Sequence, residues 1–117
     1  MKLIIREVIR FRMEDPEMAR IIQQEMFLNS PRSGVILSFL VPVWGQLREL
    51  LQEGQRQGIF HMGSVNFTVL LILGSMIFPN SVPIHEKITL NEQRSFEERV
   101  EDTIHFVLGG LGYESNN

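Results

Sequence analysis

The sequence contains no cysteine. This absence excludes disulfide bonds, zinc–thiolate sites and thiol nucleophiles together, and it fits a reducing compartment. Basic charge is also scarce, because 11 lysines and arginines stand against 14 aspartates and glutamates, which gives a net charge of −3 without a basic cluster. Such a chain lacks the positive surface that phosphate contacts require, so this segment is not expected to bind DNA or RNA directly.

Long hydrophobic runs are missing as well. The longest apolar stretch covers residues 65–79 and is interrupted by Asn66 and Thr68, and it is shorter than the ~20 residues that a membrane helix needs. The opening "MKLIIREVIRFRMEDPE" has arginines among its apolar positions and no small-residue cleavage site after it, so it is not a signal peptide. We therefore expect a soluble, cytoplasmic protein without a membrane partner, and 117 residues fit one domain with its own core.

The apolar residues have helical spacing along nearly the whole chain, and proline-containing breaks divide the helices. Asp15 can cap a helix whose first residue is Pro16, because a carboxylate accepts hydrogen bonds from the free amides and proline suits the first position. Ser30 and Pro31 repeat this arrangement. Pro42 has no backbone donor and disfavours helix at the residue before it, so we expect one helix to end there and another to begin.

The second half of the chain carries its own boundary signals. Gly58 supplies the left-handed residue that commonly ends a helix, and the apolar pair 59–60 can fold back onto the last turn. Ser64 can cap the next helix, and Ser95 with Glu98 has the spacing of a capping box before the last one. These boundaries predict an all-α fold, a single domain over residues 1–117 built as a bundle of about six helices.

The predicted helix over residues 65–78 is apolar in every direction around its axis. A helix of this kind is buried on all sides. A domain this small can cover one of its faces with its own core, and a second subunit is the simplest way to cover the other. The stretch that follows, residues 80–93, is a polar connection to the last helix.

Three stretches in this helical order carry a resemblance that spans essentially the whole chain: "EDPEMARII", "LRELLQEGQRQGIF" and "FEERVEDTIHFVLGGLG". In them the sequence resembles the C-terminal domain of TetR-family transcriptional regulators. The resemblance implies a homodimer that binds a small effector within this domain and pairs through its last two long helices. On those helices the candidate interface residues are Leu70, Gly74, Ile77, Phe78, Val100, Thr103, Phe106, Val107 and Gly110.

The family also carries an N-terminal helix-turn-helix that reads operator DNA, and no such segment precedes Met1 in this sequence. We therefore expect a fragment, or a natural protein without the DNA reader. In either case the resemblance implies contact with DNA only through that N-terminal domain, whose DNA binding the effector would modulate.

In the family the effector cavity lies among the helices that precede the dimer pair. Trp44 is the strongest single candidate here, because tryptophan is rarely fully buried and its ring nitrogen seeks a partner. The apolar faces of these helices hold no obvious charged residue, which predicts a hydrophobic or weakly polar effector. The alternative is that each candidate is an ordinary core residue. The candidates are Phe11, Ile22, Met26, Phe27, Phe39, Trp44, Phe67 and Leu71.

Motifs for catalysis or for a cofactor are absent from the sequence. Ser64 and Ser75 belong to no G-x-S-x-G elbow, the three histidines form no H-E-x-x-H motif, and no glycine-rich phosphate loop occurs. The acidic "EERVED" cluster is typical of a solvated helix face. We therefore predict a protein that is not an enzyme and holds neither metal nor cofactor. A helical interaction module without a small ligand is the alternative, and an enclosed cavity would distinguish the two.

Overall fold

The computed structural model describes residues 1–28, 33–77, 79 and 92–113, with the backbone alone described at 26–28, 33, 35–37 and 39. Within these residues the chain is helical and contains no strand, which confirms the predicted all-α class. The described helices are α1 (Lys2–Glu14), α2 (Pro16–Leu28), α3 (Ser33–Arg56), α4 (Val65–Ile77) and α5 (Phe96–Gly110).

The predicted helix boundary at Pro42 is wrong. A single helix, α3, runs from Ser33 to Arg56 with Pro42 inside it. Pro42 is exposed to solvent, so water can take the place of the backbone donor that proline lacks. Packing of α3 against α2 and α4 then outweighs the local preference for a break. The predicted third and fourth helices are therefore one, and the described residues form five helices rather than six.

The predicted caps are present wherever the chain is described. At Asp15, Ser64 and Ser95 the side-chain oxygen accepts a hydrogen bond from the backbone amide three residues later, at 3.3, 3.1 and 3.2 Å. The backbone amide of Ser95 in turn donates a hydrogen bond to Oε1 of Glu98 at 2.9 Å, which completes the capping box. The predicted start at Ser30 and Pro31, and residues 80–91 of the predicted connection, lie outside the described residues.

The end of α3 confirms the predicted glycine cap. Gly58 has φ = +76°, and the backbone amides of Ile59 and Phe60 both donate to the carbonyl of Gly54, at 2.8 and 3.1 Å. The Phe60 ring folds back so closely that a β-carbon built on Gly54 would lie 2.1 Å from its Cδ2. Phe60 also meets Tyr113 edge to face, with ring centroids 6.1 Å apart. The absence of a side chain at position 54 thus makes room for this ring.

A methyl group at position 54 tests that close packing. We expect Gly54→Ala to lower the free energy of unfolding by about 2–3 kcal/mol, because the Phe60 ring must leave its site. The matched control is Gly45→Ala in the same helix, where an added β-carbon meets nothing within 4 Å and should stabilise by up to about 1 kcal/mol. Urea unfolding of both variants checks this, and equal effects would contradict the described position of Phe60.

The core lies where four of the helices meet. α4 contacts α1, α3 and α5, while α2 packs on α1 and α3. The α4 residues that face this core lie three and four positions apart, so they form one side of the helix. The enclosed core residues are Ile5, Ile9, Leu47, Leu51, Val69, Ile72, Leu73, Met76, Val100, Val107 and Leu111.

A polar contact also joins α1 to the start of α5. Arg6 donates two hydrogen bonds to the carboxylate of Glu97, one of them from Nη1 to Oε2 at 2.8 Å, and its Cζ lies 4.9 Å from the ring centroid of Phe96. The hydrogen bonds lower the pKa of Glu97 and raise the pKa of Arg6. Because both groups are accessible to solvent, the pair adds little stability, but it fixes how α1 lies against α5.

Candidate functional site

A cavity of about 500 Å³ lies between α1, α2, α3 and the end of α4. Ala19 forms part of its wall and is only 3% exposed, whereas Leu3 is 70% exposed. The cavity therefore reaches into the domain at Ala19 and opens to solvent along the exposed row of Leu3, Glu7 and Phe11. Its apolar lining consists of Leu3, Ile4, Val8, Phe11, Ala19, Ile22, Leu40, Val43, Trp44, Leu73 and Ile77.

Helix α1 forms the longest wall of this cavity. Residues four positions apart lie on the same side of a helix, and α1 turns two such adjacent rows towards the cavity. A third row, with Ile5 and Ile9, faces the core and is fully buried. One helix therefore borders both the cavity and the core. The two cavity rows are Leu3, Glu7 and Phe11, and Ile4, Val8 and Arg12.

The structure brings three of the eight predicted ligand residues together. Phe11, Ile22 and Trp44 line the cavity from three different helices. Phe67 and Leu71 do not line it, because they lie on the outer side of α4 and are 60% and 58% exposed. The side chains of Met26, Phe27 and Phe39 lie outside the described residues.

The lining includes charged side chains, which differs from the expectation of an uncharged pocket. Glu7 and Arg12 both line the cavity, together with Gln23 and Gln46. The sequence contained the signal, since Arg12 follows Ile4 and Val8 at four-residue intervals. Residue type alone does not reveal it, because an arginine on an amphipathic helix is usually exposed to solvent. A wholly apolar effector therefore fits this cavity less well than an amphipathic one.

The two charges have different surroundings. Glu7 is exposed, and its carboxylate forms a salt bridge with Arg10 at 3.0 Å. Arg12 is partly buried, and its Nη2 donates to Oε1 of Gln23 on α2 at 2.8 Å. Burial lowers the pKa of Arg12, since desolvation disfavours the charged form. The positive charge of Arg12, near the end of α1, is therefore partly shielded from solvent, and its hydrogen bond to Gln23 fixes its position in the cavity wall.

A second feature is an apolar face formed by the outer sides of α4 and α5. Leu70 and Phe106 are 62% and 71% exposed, and they border a groove of about 700 Å³ together with Gly74 and Gly110. A β-carbon added to either glycine would meet nothing within 4 Å. We call this surface the α4–α5 face. On this face, one side of an apolar helix is left uncovered by the part of the chain that the structure describes.

The predicted interface residues fall into five groups. Leu70, Gly74, Phe106 and Gly110 lie on the α4–α5 face, and Thr103 is half-buried on α5. Val100 and Val107 are only 3% and 5% exposed, because the core of the same chain encloses them, although Val107 also borders the groove of that face. Ile77 lines the cavity, and Phe78 lies outside the described residues.

Within the part of the chain that the structure describes, no three histidine, cysteine, aspartate or glutamate side chains come close enough to hold a metal ion. No helix there is both long enough and apolar enough to cross a membrane.

An all-helical domain with a ligand-sized cavity and an uncovered apolar face has a counterpart among solved structures. The crystal structure of a HlyIIR mutant, in which one segment is replaced by a GSSGSSG linker, matches 99% of this chain with a TM-score of 0.74 and 23% sequence identity. HlyIIR is a TetR-family regulator, so the chain has a TetR-like fold. The chain covers 56% of the length of that structure. No protein-family model matches the sequence, and no curated protein matches it.

Proposed function

We propose that this chain is the effector-sensing and homodimerisation domain of a TetR-like transcriptional regulator. The observation that carries the proposal is the cavity of about 500 Å³, which falls within the roughly 300–1,000 Å³ of small-molecule sites. A cavity of this size therefore favours a sensor. The TetR-like fold supports a regulator and counts against an enzyme.

In this proposal the α4–α5 face is the homodimer interface. Large contiguous apolar patches are rare on soluble monomers and mark interaction sites. In a two-fold dimer, the α4–α5 face of one copy would pack against the same face of the other. The open space above Gly74 and Gly110 would let a partner helix approach closely. The second subunit would then cover the side of α4 that one chain leaves exposed.

Helix α1 is the element that would connect ligand binding to the dimer. It turns Val8 and Phe11 towards the cavity, and it holds α5 through Ile9 in the core and through the contact of Arg6 with Glu97. A ligand that favours one position of α1 would bias the position of α5 and thus the arrangement of the two subunits. Operator DNA would be bound by a part of the regulator other than these 117 residues.

The second candidate function is a helical interaction module that has no small ligand. The exposed α4–α5 face by itself is compatible with this function, because docking a partner needs no cavity. Ligand binding distinguishes the two candidates.

Trp44 provides a direct test, because it is the only tryptophan of the chain and it lines the cavity. We expect 1-decanol to change the fluorescence of Trp44 saturably. Val43→Phe adds a ring within the cavity wall and should weaken binding about tenfold or more by filling the volume. Val41→Phe is the control, since Val41 is 54% exposed on the same helix. If 1-decanol fails to bind, or binds equally to both variants, the interaction module is favoured.

A further inference from the structure

We propose that the ligand of this cavity is an amphipathic monoanion, with an apolar body and one carboxylate that binds Arg12. This inference rests on the proposed function, because it names the chemical class of the effector for the same cavity. It is carried by the position of Arg12 and Gln23, a hydrogen-bonded pair that joins α1 to α2 within a lining that is otherwise mostly apolar.

The chemistry of Arg12 favours an anion over a neutral or cationic head group. A guanidinium carries five N–H donors and no acceptor, and its planar fork matches a carboxylate. Charge-assisted hydrogen bonds of this kind are roughly twice as strong as neutral ones. Partial burial disfavours the charge of Arg12, as the direction of its pKa shift indicates, and a bound anion would offset that cost. A cationic head group would meet repulsion instead.

The remaining polar groups of the lining do not reverse this preference. Glu7 is the acidic member, but it is exposed and paired with Arg10, so solvent screens its charge. Gln46 is exposed and neutral. A ligand with one carboxylate needs a single contact with the Arg12 guanidinium, whereas a dianion would place a second charge in a partly buried site, which is costly.

The length of α1 along the cavity sets the size of the apolar body. From Leu3 to Arg12 the helix advances nine residues, or about 13 Å at roughly 1.5 Å per residue. An extended alkyl chain advances about 1.25 Å per carbon, given a C–C bond of about 1.5 Å. A chain of about ten carbons, with its carboxylate at Arg12, would therefore extend along this wall as far as Leu3.

The test compares three ligands with the same ten-carbon tail: decanoate, 1-decanol and decyltrimethylammonium. Their binding is measured by Trp44 fluorescence at about pH 7.5, where a carboxylate is ionised. We expect decanoate to bind most tightly and the cation most weakly. Arg12→Gln should reduce the ratio of decanoate affinity to decanol affinity at least about tenfold, the size expected for a lost charge-assisted hydrogen bond. Arg12→Lys keeps the charge and should keep most of the preference.

Arg20→Gln is the matched control, because it removes an exposed arginine from α2 that does not line the cavity. Circular dichroism establishes whether each variant is folded. If Arg12→Gln does not fold, the three-ligand comparison on the unaltered chain still tests whether the cavity prefers an anion. Equal binding of decanoate and decanol would overturn the monoanion assignment and leave the cavity as a ligand site. Failure of all three ligands to bind would overturn both proposals.

Discussion

Phe106→Glu is expected to convert the homodimer into a folded monomer. Phe106 is 71% exposed in the single chain, so a charged side chain there should not disturb the core. In the proposed dimer the same glutamate would be buried against apolar surface without a partner, which is strongly unfavourable. We expect the dissociation constant to rise at least about 100-fold, or about 2.7 kcal/mol, while the monomer stays helical and its unfolding temperature falls only by the stabilisation that the partner supplied.

Sedimentation velocity over a concentration series measures this effect. Gly74→Leu approaches the same face differently, because an added β-carbon meets no described atom within 4 Å and the longer side chain would project into the proposed interface. Val41→Glu is the control, since it charges an exposed apolar position away from the α4–α5 face. Unchanged sedimentation of both Phe106→Glu and Gly74→Leu would rule out this interface.

Ile9→Ala is expected to cause a large loss of stability. Its side chain is fully buried in the core that joins α1 to α4 and α5. Truncating a buried isoleucine to alanine removes apolar contacts and leaves a void, which typically costs about 2–5 kcal/mol. For a domain whose total stability is about 5–15 kcal/mol, this change removes a large share.

Leu3→Ala is the matched control in the same helix, because Leu3 is 70% exposed and should lose less than about 0.5 kcal/mol. Both variants are compared with the unaltered chain by urea denaturation with a shared slope. Similar losses at the two positions would contradict the division of α1 into a core row and cavity rows.

The helix ends could be predicted from the sequence because their chemistry is local. The residues that cap a helix make hydrogen bonds with backbone groups only a few positions away, as Ser95 and Glu98 do at the start of α5. The apolar character of α4 could also be predicted from the sequence, but the sequence does not show which side of α4 the chain itself buries. Val69 and Met76 are buried, while Leu70 and Leu71 are exposed, and only the packing of α1, α3 and α5 decides between them.

Features that depend on distant parts of the chain escaped the sequence analysis. Pro42 predicted a helix break, yet packing on both sides of α3 keeps the helix continuous. Arg12 lies in the cavity wall beside Gln23 of the next helix, although the sequence predicts no charged residue in the pocket. Phe67 is predicted in the pocket from the place of the family's cavity, and it lies on the outside of α4. Each of these depends on which neighbour a helix face meets.

Native mass spectrometry of the purified chain, with and without decanoate, tests the account most directly, because it reports the oligomer and any retained small molecule together. We expect a species of twice the 13.6 kDa chain mass that binds up to two decanoate molecules and releases them under harsher activation. A monomer that retains no decanoate at any concentration would contradict both the proposed dimer and the proposed effector cavity.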